Sequence, residues 1–255
     1  MLDNVEKSES WDSIWKRHLQ GYIDAPPRTG IFIHGFLVHR IFPEKIKSIM
    51  EVGGGSCRDG IYLAKQGYDV ICSDKNGFIM DELSAANHLK NLRFEVQDAF
   101  LLGQPDRSFS IVFSNGLIVY FNDDNDVVRI IREHVRVSKK CAVIMAHNRA
   151  NNSLVNKFKR LGSKDPLFNI RFFYAGELVD IVNKAGIRYK KLHVLKFGGI
   201  FDALLYEKIC GRHNPFHGMA YCISLNGMMG NLYQYLPWRF VERVACIIEL
   251  EEEDD

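Results

Sequence analysis

None of the six cysteines (57, 72, 141, 210, 222, 246) stands in a CxxC pair. Several sit inside apolar runs such as ICSD, CAVIM and AYCIS, which reads as buried free thiols rather than a zinc site or a disulfide frame. No uninterrupted apolar run reaches the ~18–20 residues of a membrane span. Internal repeats are missing, and the only low-complexity tract is the acidic C-terminus. The opening MLDNVEKSES is acidic and polar, without the apolar centre of a secretory signal, so a cytoplasmic location is expected. Strong charge of one sign is lacking too: 33 Lys and Arg face 31 Asp and Glu.

What remains is globular composition, 47% hydrophobic over 255 residues. Six of the acids fall in residues 249–255, so the rest of the chain carries an excess of eight basic groups. That excess suits an anionic small substrate but is too diffuse for nucleic acid.

Three zones follow. Residues 1–45 read as an N-terminal helical cap, with Trp11, Trp15 and Leu19 on one stripe, a stop at Pro26-Pro27, and a second helix over 29–41. Trp11 and Trp15 read as core residues or as a lid over a pocket. Residues 46–235 alternate strand-like and helix-like runs. Strands are expected at 46–52, 69–73, 92–96, 110–114 and 141–146, helices near 59–66, 78–89 and 124–137. This βαβ rhythm predicts a parallel sheet covered on both faces. Further on, 177–185 reads as a helix, and 189–195 and 219–225 as strands. Residues 236–255 are expected to form a helix from Pro237 to Ile248, docked on the sheet or paired with a second subunit in a homo-oligomer, followed by the acidic tail.

The strongest chemical signal is Ile49-Met50-Glu51-Val52-Gly53-Gly54-Gly55-Ser56-Cys57, a strand ending in an acid and a glycine bend that opens a helix. Glycines permit positive φ and let a ligand lie on bare backbone; the helix start offers free N–H groups. A dinucleotide fingerprint starting at Gly53 would need glycine where Arg58 stands; starting at Gly54, it would need one at Ser56. A phosphate loop from Gly55 to Gly60 has Ile61 where it needs lysine. Carboxylates follow at Asp74, 21 residues beyond Gly53 and suited to ribose hydroxyls, and at Asp98.

The bend resembles the first motif of the class I S-adenosylmethionine-dependent methyltransferases, an acid, a hydrophobic residue, then G-x-G-x-G. Glu51, Gly53 and Gly55 match, and Cys57 occupies the third glycine. Phe109–Asn115 resembles the family's fourth-strand segment, with Ser110 in place of its acid, and 171–186 resembles the helix and turn before its sixth strand. The resemblance implies a Rossmann-like fold, a seven-stranded mostly parallel sheet ordered 3-2-1-4-5-7-6 with helices on both faces. It implies S-adenosylmethionine as cofactor, held by Glu51, Gly53, Gly54, Gly55, Asp74, Asp98, Ala99, Phe100 and Ser114. Asn115, Tyr120 and Trp15 would position substrate.

A methyl acceptor with an oxygen nucleophile calls for a proton acceptor. His147, after the fifth strand, is the candidate, against a purely structural histidine. Asn115-Gly116-Leu117 lacks the Pro-Pro-aromatic run of nucleobase amino methyltransferases. Asp123, Asp124 and Asp126 read as a helix N-terminus rather than a metal site. Lys157, Lys159, Arg160 and Lys164 read as a solvated face. The expected activity is methyl transfer to a hydroxyl of a small molecule or glycan. A small-amine N-methyltransferase or a non-catalytic cofactor-binding subunit are the alternatives.

Overall fold

The computed structural model describes residues 10–41, 46–209, 212–225 and 228–251. The acidic residues 252–255 lie outside the described residues.

Helix α1 (Trp11–Ile23) starts at Ser10, whose hydroxyl accepts the Ser13 N–H, and α2 (Arg28–Phe32) follows Pro27. From Ile33 to Ile41 the second helix widens into π-helical turns. Then come β1 (Ser48–Val52), α3 (Arg58–Lys65), β2 (Asp69–Asp74), α4 (Gly77–Ala86), β3 (Leu92–Val96), β4 (Phe109–Asn115), α5 (Asp124–Val137) and β5 (Ser138–His147). The second half contributes α6 (Asn152–Gly162), α7 (Ala175–Lys184) and β6 (Lys191–Gly199). A small ribbon of β7 (Lys208–Ile209) and β8 (Arg212–His213) follows, then α8 (His217–Leu225), α9 (Met228–Tyr235) and β9 (Val241–Glu249).

The main sheet has seven strands in the order β3-β2-β1-β4-β5-β9-β6. β1 to β5 run parallel, and β9 is antiparallel to both β5 and β6. This is the Rossmann-like order that the bend motif implied. Alternation along the strands divides the core. Ile49, Ile111, Val143 and Ala245 pack with α2, α3 and α4; Ala142, Ile144, Val244 and Cys246 pack with α5 and α7. The cysteines at 57, 72, 141 and 246 are free and buried. Among the described residues no helix is long and apolar enough to cross a membrane.

Two expectations fail. Residues 241–249 are a strand, not the end of a helix, and that strand lies inside the sheet. Val241, Val244, Ile247 and Ile248 do share a helical face, but a strand covered on both sides needs no alternation, and the β-branched side chains fit it. A central strand also leaves no free face for a second subunit. Conversely, 219–225 is helical, because a short apolar run does not distinguish a buried helix from a strand.

Candidate active site

Parallel pairing brings the carboxyl ends of β1, β2, β3, β4 and β5 to one edge, where open α/β sheets take ligands. The bend after β1 turns through positive φ at Gly53 (62°), Gly55 (55°) and Cys57 (49°). At Gly54 a Cβ would lie 2.8 Å from Cys57 Sγ and 2.9 Å from Glu51 Cδ, so only glycine fits. Glu51 is buried beneath, where its Oε2 accepts the Gly60 N–H at 2.8 Å and ties the bend to α3. Asp74 caps the arrangement from β2: Oδ2 accepts the Gly55 N–H at 3.0 Å and Oδ1 the Asn76 N–H at 2.9 Å.

Burial, and then the Asp59 charge, push the Glu51 carboxyl up to about 8. An unfolded glutamate titrates near ~4.3. Between about 4.5 and 8 the folded chain therefore holds a proton that the unfolded chain has released. Stability should fall as pH rises through that window, by up to ~1.4 kcal/mol per pH unit, and level off above it. Glu51→Gln keeps an acceptor for Gly60 and removes the titration. Its melting temperature should change less with pH than the wild type's between pH 5 and 9; parallel curves would exclude Glu51 as the cause.

A cavity of about 420 Å³ opens between the bend and the ends of β4, β5 and β9. Its wall includes Trp15, Gly53, Gly54, Gly55, Glu51, Asn115, Tyr120 and His147. Asp74, Asp98, Ala99, Phe100 and Ser114 do not line it. Asp74 holds the bend through the Gly55 N–H. Asp98 lies at the same edge but on the outer rim, where its carboxylate meets Lys75 Nζ at 2.8 Å and the Phe100 N–H at 3.0 Å; the Lys75 bond holds its pKa low. Phe100 lies edge-on to Phe121, with Arg129 over its ring. Ser114 is fully buried, its Oγ unpartnered, because strand alternation turns it away from the face that Asn115 presents.

Helix α1 closes the cavity as a strap. The Trp15 ring lies over Gly55, where a Cβ would come within 2.4 Å of it. Trp15 both lines the cavity and packs against the core, while Trp11 is exposed, stands outside the cavity wall and packs edge-on against Tyr120 at 5.1 Å. Further ties hold the strap. Asn76 Nδ2 donates to Asp12 Oδ1 at 2.7 Å, His18 pairs with Asp165 at 2.6 Å, and Arg58 Nη1 donates to the Tyr22 carbonyl at 3.2 Å. Arg58 also sits over the Tyr22 ring, and its Nε is buried without a partner.

His147 lies at the floor, against Phe158 (4.9 Å) and Phe172 (5.9 Å). Its Nδ1 is buried with no hydrogen-bond partner. Burial first, then Arg243 and Arg28, hold its pKa well below the usual value, so it is neutral at pH 7. Opposite it in register on β9 is Arg243, buried, which burial and Arg28 lower to about 10. Arg243, Arg28, Asp59, Tyr22 and His18 are cavity residues that sequence reasoning missed. Arg243 stands in the run expected to be helical, so its place at the cavity end of a strand was not legible. The exposed Lys157, Lys159 and Arg160 stay on the solvent side of α6, which gives the cavity Phe158 instead. Asp123 caps α5, accepting the Asn125 N–H, and Asp124 pairs with Arg171 and Lys184.

A family model described as a methyltransferase domain matches residues 49–141, the stretch from β1 to the start of β5. The likeness in sequence is to a methyltransferase domain over that stretch, and the fold of the whole is the Rossmann-like methyltransferase fold. An ajmaline N-methyltransferase of Rauvolfia serpentina is 28% identical over 167 residues, 56% of this chain and 55% of that protein. Phosphoethanolamine N-methyltransferase 1 of Caenorhabditis elegans is 25% identical over 149 residues, 55% of this chain and 30% of that one. The chain spans about half or less of the length of the curated relatives it matches. The plantazolicin methyltransferase BpumL, solved with S-adenosylhomocysteine, shares the fold at a TM-score of 0.61 and 15% identity, covering 92% of this chain and 90% of its own.

The residues present fit the family's S-adenosylmethionine. The bend is bare backbone where side chains would collide, and Asp74 is fixed beside it.

Proposed function

We propose that this protein is a methyltransferase that methylates an oxygen of a small molecule. S-adenosylmethionine, when bound, supplies an electrophilic methyl group on a sulfonium. Glu51, Gly53, Gly54, Gly55, Asp74 and Asp98 would hold it. The chain's own residues then align the acceptor, exclude water and receive a proton. Trp15 and the rest of α1 cover the chamber, while Asn115 and Tyr120 bound it on the acceptor side. The observation that carries the reading is the placement of His147, a neutral imidazole in the wall of a cavity also lined by Arg28, Arg58 and Arg243. A neutral imidazole takes a proton, and an arginine-rich chamber favours a developing oxyanion over an ammonium. The same cavity of about 420 Å³ also takes in the glycine bend, so what the cofactor leaves suits a small acceptor or single sugar better than an extended glycan.

A nitrogen acceptor is the second reading. It is supported by the names of the two curated relatives, both N-methyltransferases. Arginines around the pocket would keep such an amine neutral and ready to react.

Calorimetry with S-adenosylhomocysteine tests the foundation. The wild type should bind it, and Asp74→Ala should weaken binding by ~1–3 kcal/mol, since the bend loses its anchor and the ribose hydroxyls a charged acceptor. Unchanged affinity in a folded variant removes Asp74 from the site. Mass spectrometry on a panel of small alcohols, phenols and amines then decides between oxygen and nitrogen. Binding without transfer to any of them would favour a non-catalytic subunit.

A further inference from the structure

Three arginines reach the cavity, and they differ in how their charge is met. Arg28 Nη1 pairs with Asp202 at 2.7 Å and Glu242 at 3.0 Å. Arg58 is spent on the Tyr22 carbonyl and ring. Arg243 is 9% exposed, yet its one hydrogen bond among the described residues goes to a neutral oxygen, Asn115 Oδ1, at 2.7 Å. Asn115 in turn leans on Asp59 Oδ2 at 3.4 Å, and Asp59 Oδ1 is occupied by the Gly30 N–H at 2.9 Å. No nitrogen of Arg243 is among the sealed, unpartnered atoms, so its remaining N–H groups open on the cavity.

Glu242 and Asp59 attract Arg243 through space without a bond to it; a buried cation bonded only to a neutral acceptor is costly unless an anion completes it. A guanidinium with open N–H groups matches a carboxylate or phosphate in two parallel bonds. The place for that anion is defined by Gly116 (φ 82°): a Cβ there would lie 3.7 Å from both Arg243 Nη1 and His147 Cε1. The missing side chain keeps open the gap between guanidinium and imidazole. The backbone of β9 is three strand spacings from β1, roughly 14 Å, and Arg243 reaches back only to the end of β4. Arg58 stands nearer the bend.

We infer that Arg243 anchors a carboxylate or phosphate group of the methyl acceptor, across Gly116 from His147. The acceptor class is thus a small organic acid or phosphate ester whose reacting atom lies apart from its anionic group. This rests on the methyl-transfer reading above.

The test is calorimetry on protein saturated with S-adenosylhomocysteine, using inorganic phosphate, benzoate and neutral benzamide as probes. The wild type should bind one of the two anions and not benzamide; which one binds assigns the acceptor's charged group. Arg243→Gln should weaken that anion ~10–100-fold, with S-adenosylhomocysteine affinity kept within about threefold of wild type. If the glutamine variant does not fold, Arg243→Lys serves, with a ~3–10-fold loss expected because lysine lacks the planar fork. Equal anion affinity in wild type and variant overturns the inference while leaving methyl transfer intact, as does a wild type that binds neither anion. Loss of S-adenosylhomocysteine affinity alone places Arg243 on the cofactor and overturns it too. Failure of the wild type to bind S-adenosylhomocysteine removes the methyl-transfer reading, and this inference with it.

Discussion

Replacing His147 with alanine should lower turnover ~10²–10⁴-fold, while S-adenosylhomocysteine affinity stays within about twofold. The imidazole is set into the floor by Phe158 and Phe172, away from the glycine bend, so its loss leaves the cradle unchanged. Burial and two nearby arginines keep it unprotonated at pH 7, the form that accepts a proton. Two controls give the result meaning. His147→Gln fills most of the space without a comparable basicity and should not restore turnover. The wild-type rate should show no inflection near 6.5 from this group, because its pKa lies well below that value. A loss smaller than tenfold would transfer the reaction to an acceptor that arrives already deprotonated, as a neutral amine does, and leave His147 as wall packing.

What the sequence disclosed was local. Glu51 through Gly55 was readable because a strand-end acid followed by glycines is a short-range signal, and the positive φ at Gly53 and Gly55 is its direct consequence. Asp74 was readable for the same reason: an acid at the end of a β-rich run falls at the ligand edge of a parallel sheet. The missed half of the site depends on contacts between distant residues. His147 and Arg243 face each other only because β9 runs antiparallel to β5. Nothing in Val241–Glu249 announces that partner, and its apolar spacing fits a helix as well as a central strand. Ser114 and Asn115 are adjacent in sequence yet separated by strand alternation, so one is sealed in the core and the other lines the cavity. Trp15 illustrates the same division. Its helical stripe was legible, but its seat over Gly55 needed the fold.

The other large effect expected is on stability, from Arg28. This side chain joins three parts of the chain: α2, the turn carrying Asp202 after β6, and Glu242 on β9. Asp202 is 3% exposed and also receives the Tyr233 hydroxyl from α9. Burial lifts the Asp202 carboxyl above its usual range even with Arg28 beside it, whereas the paired carboxylates raise Arg28 despite its own burial. The pair thus holds together against a real desolvation cost. Arg28→Met removes the cation, fills much of its volume and leaves the carboxylate of Asp202 uncompensated. Breaking a buried pair in this way costs ~3–5 kcal/mol, read as a fall in the urea midpoint. Much of the loss should return in Arg28→Met/Asp202→Asn, since no buried charge is then stranded. Tyr206, four positions beyond Asp202, and Arg28 itself both line the cavity. The single variant should therefore loosen the acceptor side of the cavity before the glycine bend, raising the acceptor KM more than the S-adenosylhomocysteine Kd. A single-variant loss under ~1 kcal/mol, or a double variant no better than the single, would mean that Arg28 behaves as an ordinary surface arginine and that packing alone holds α9 against β6.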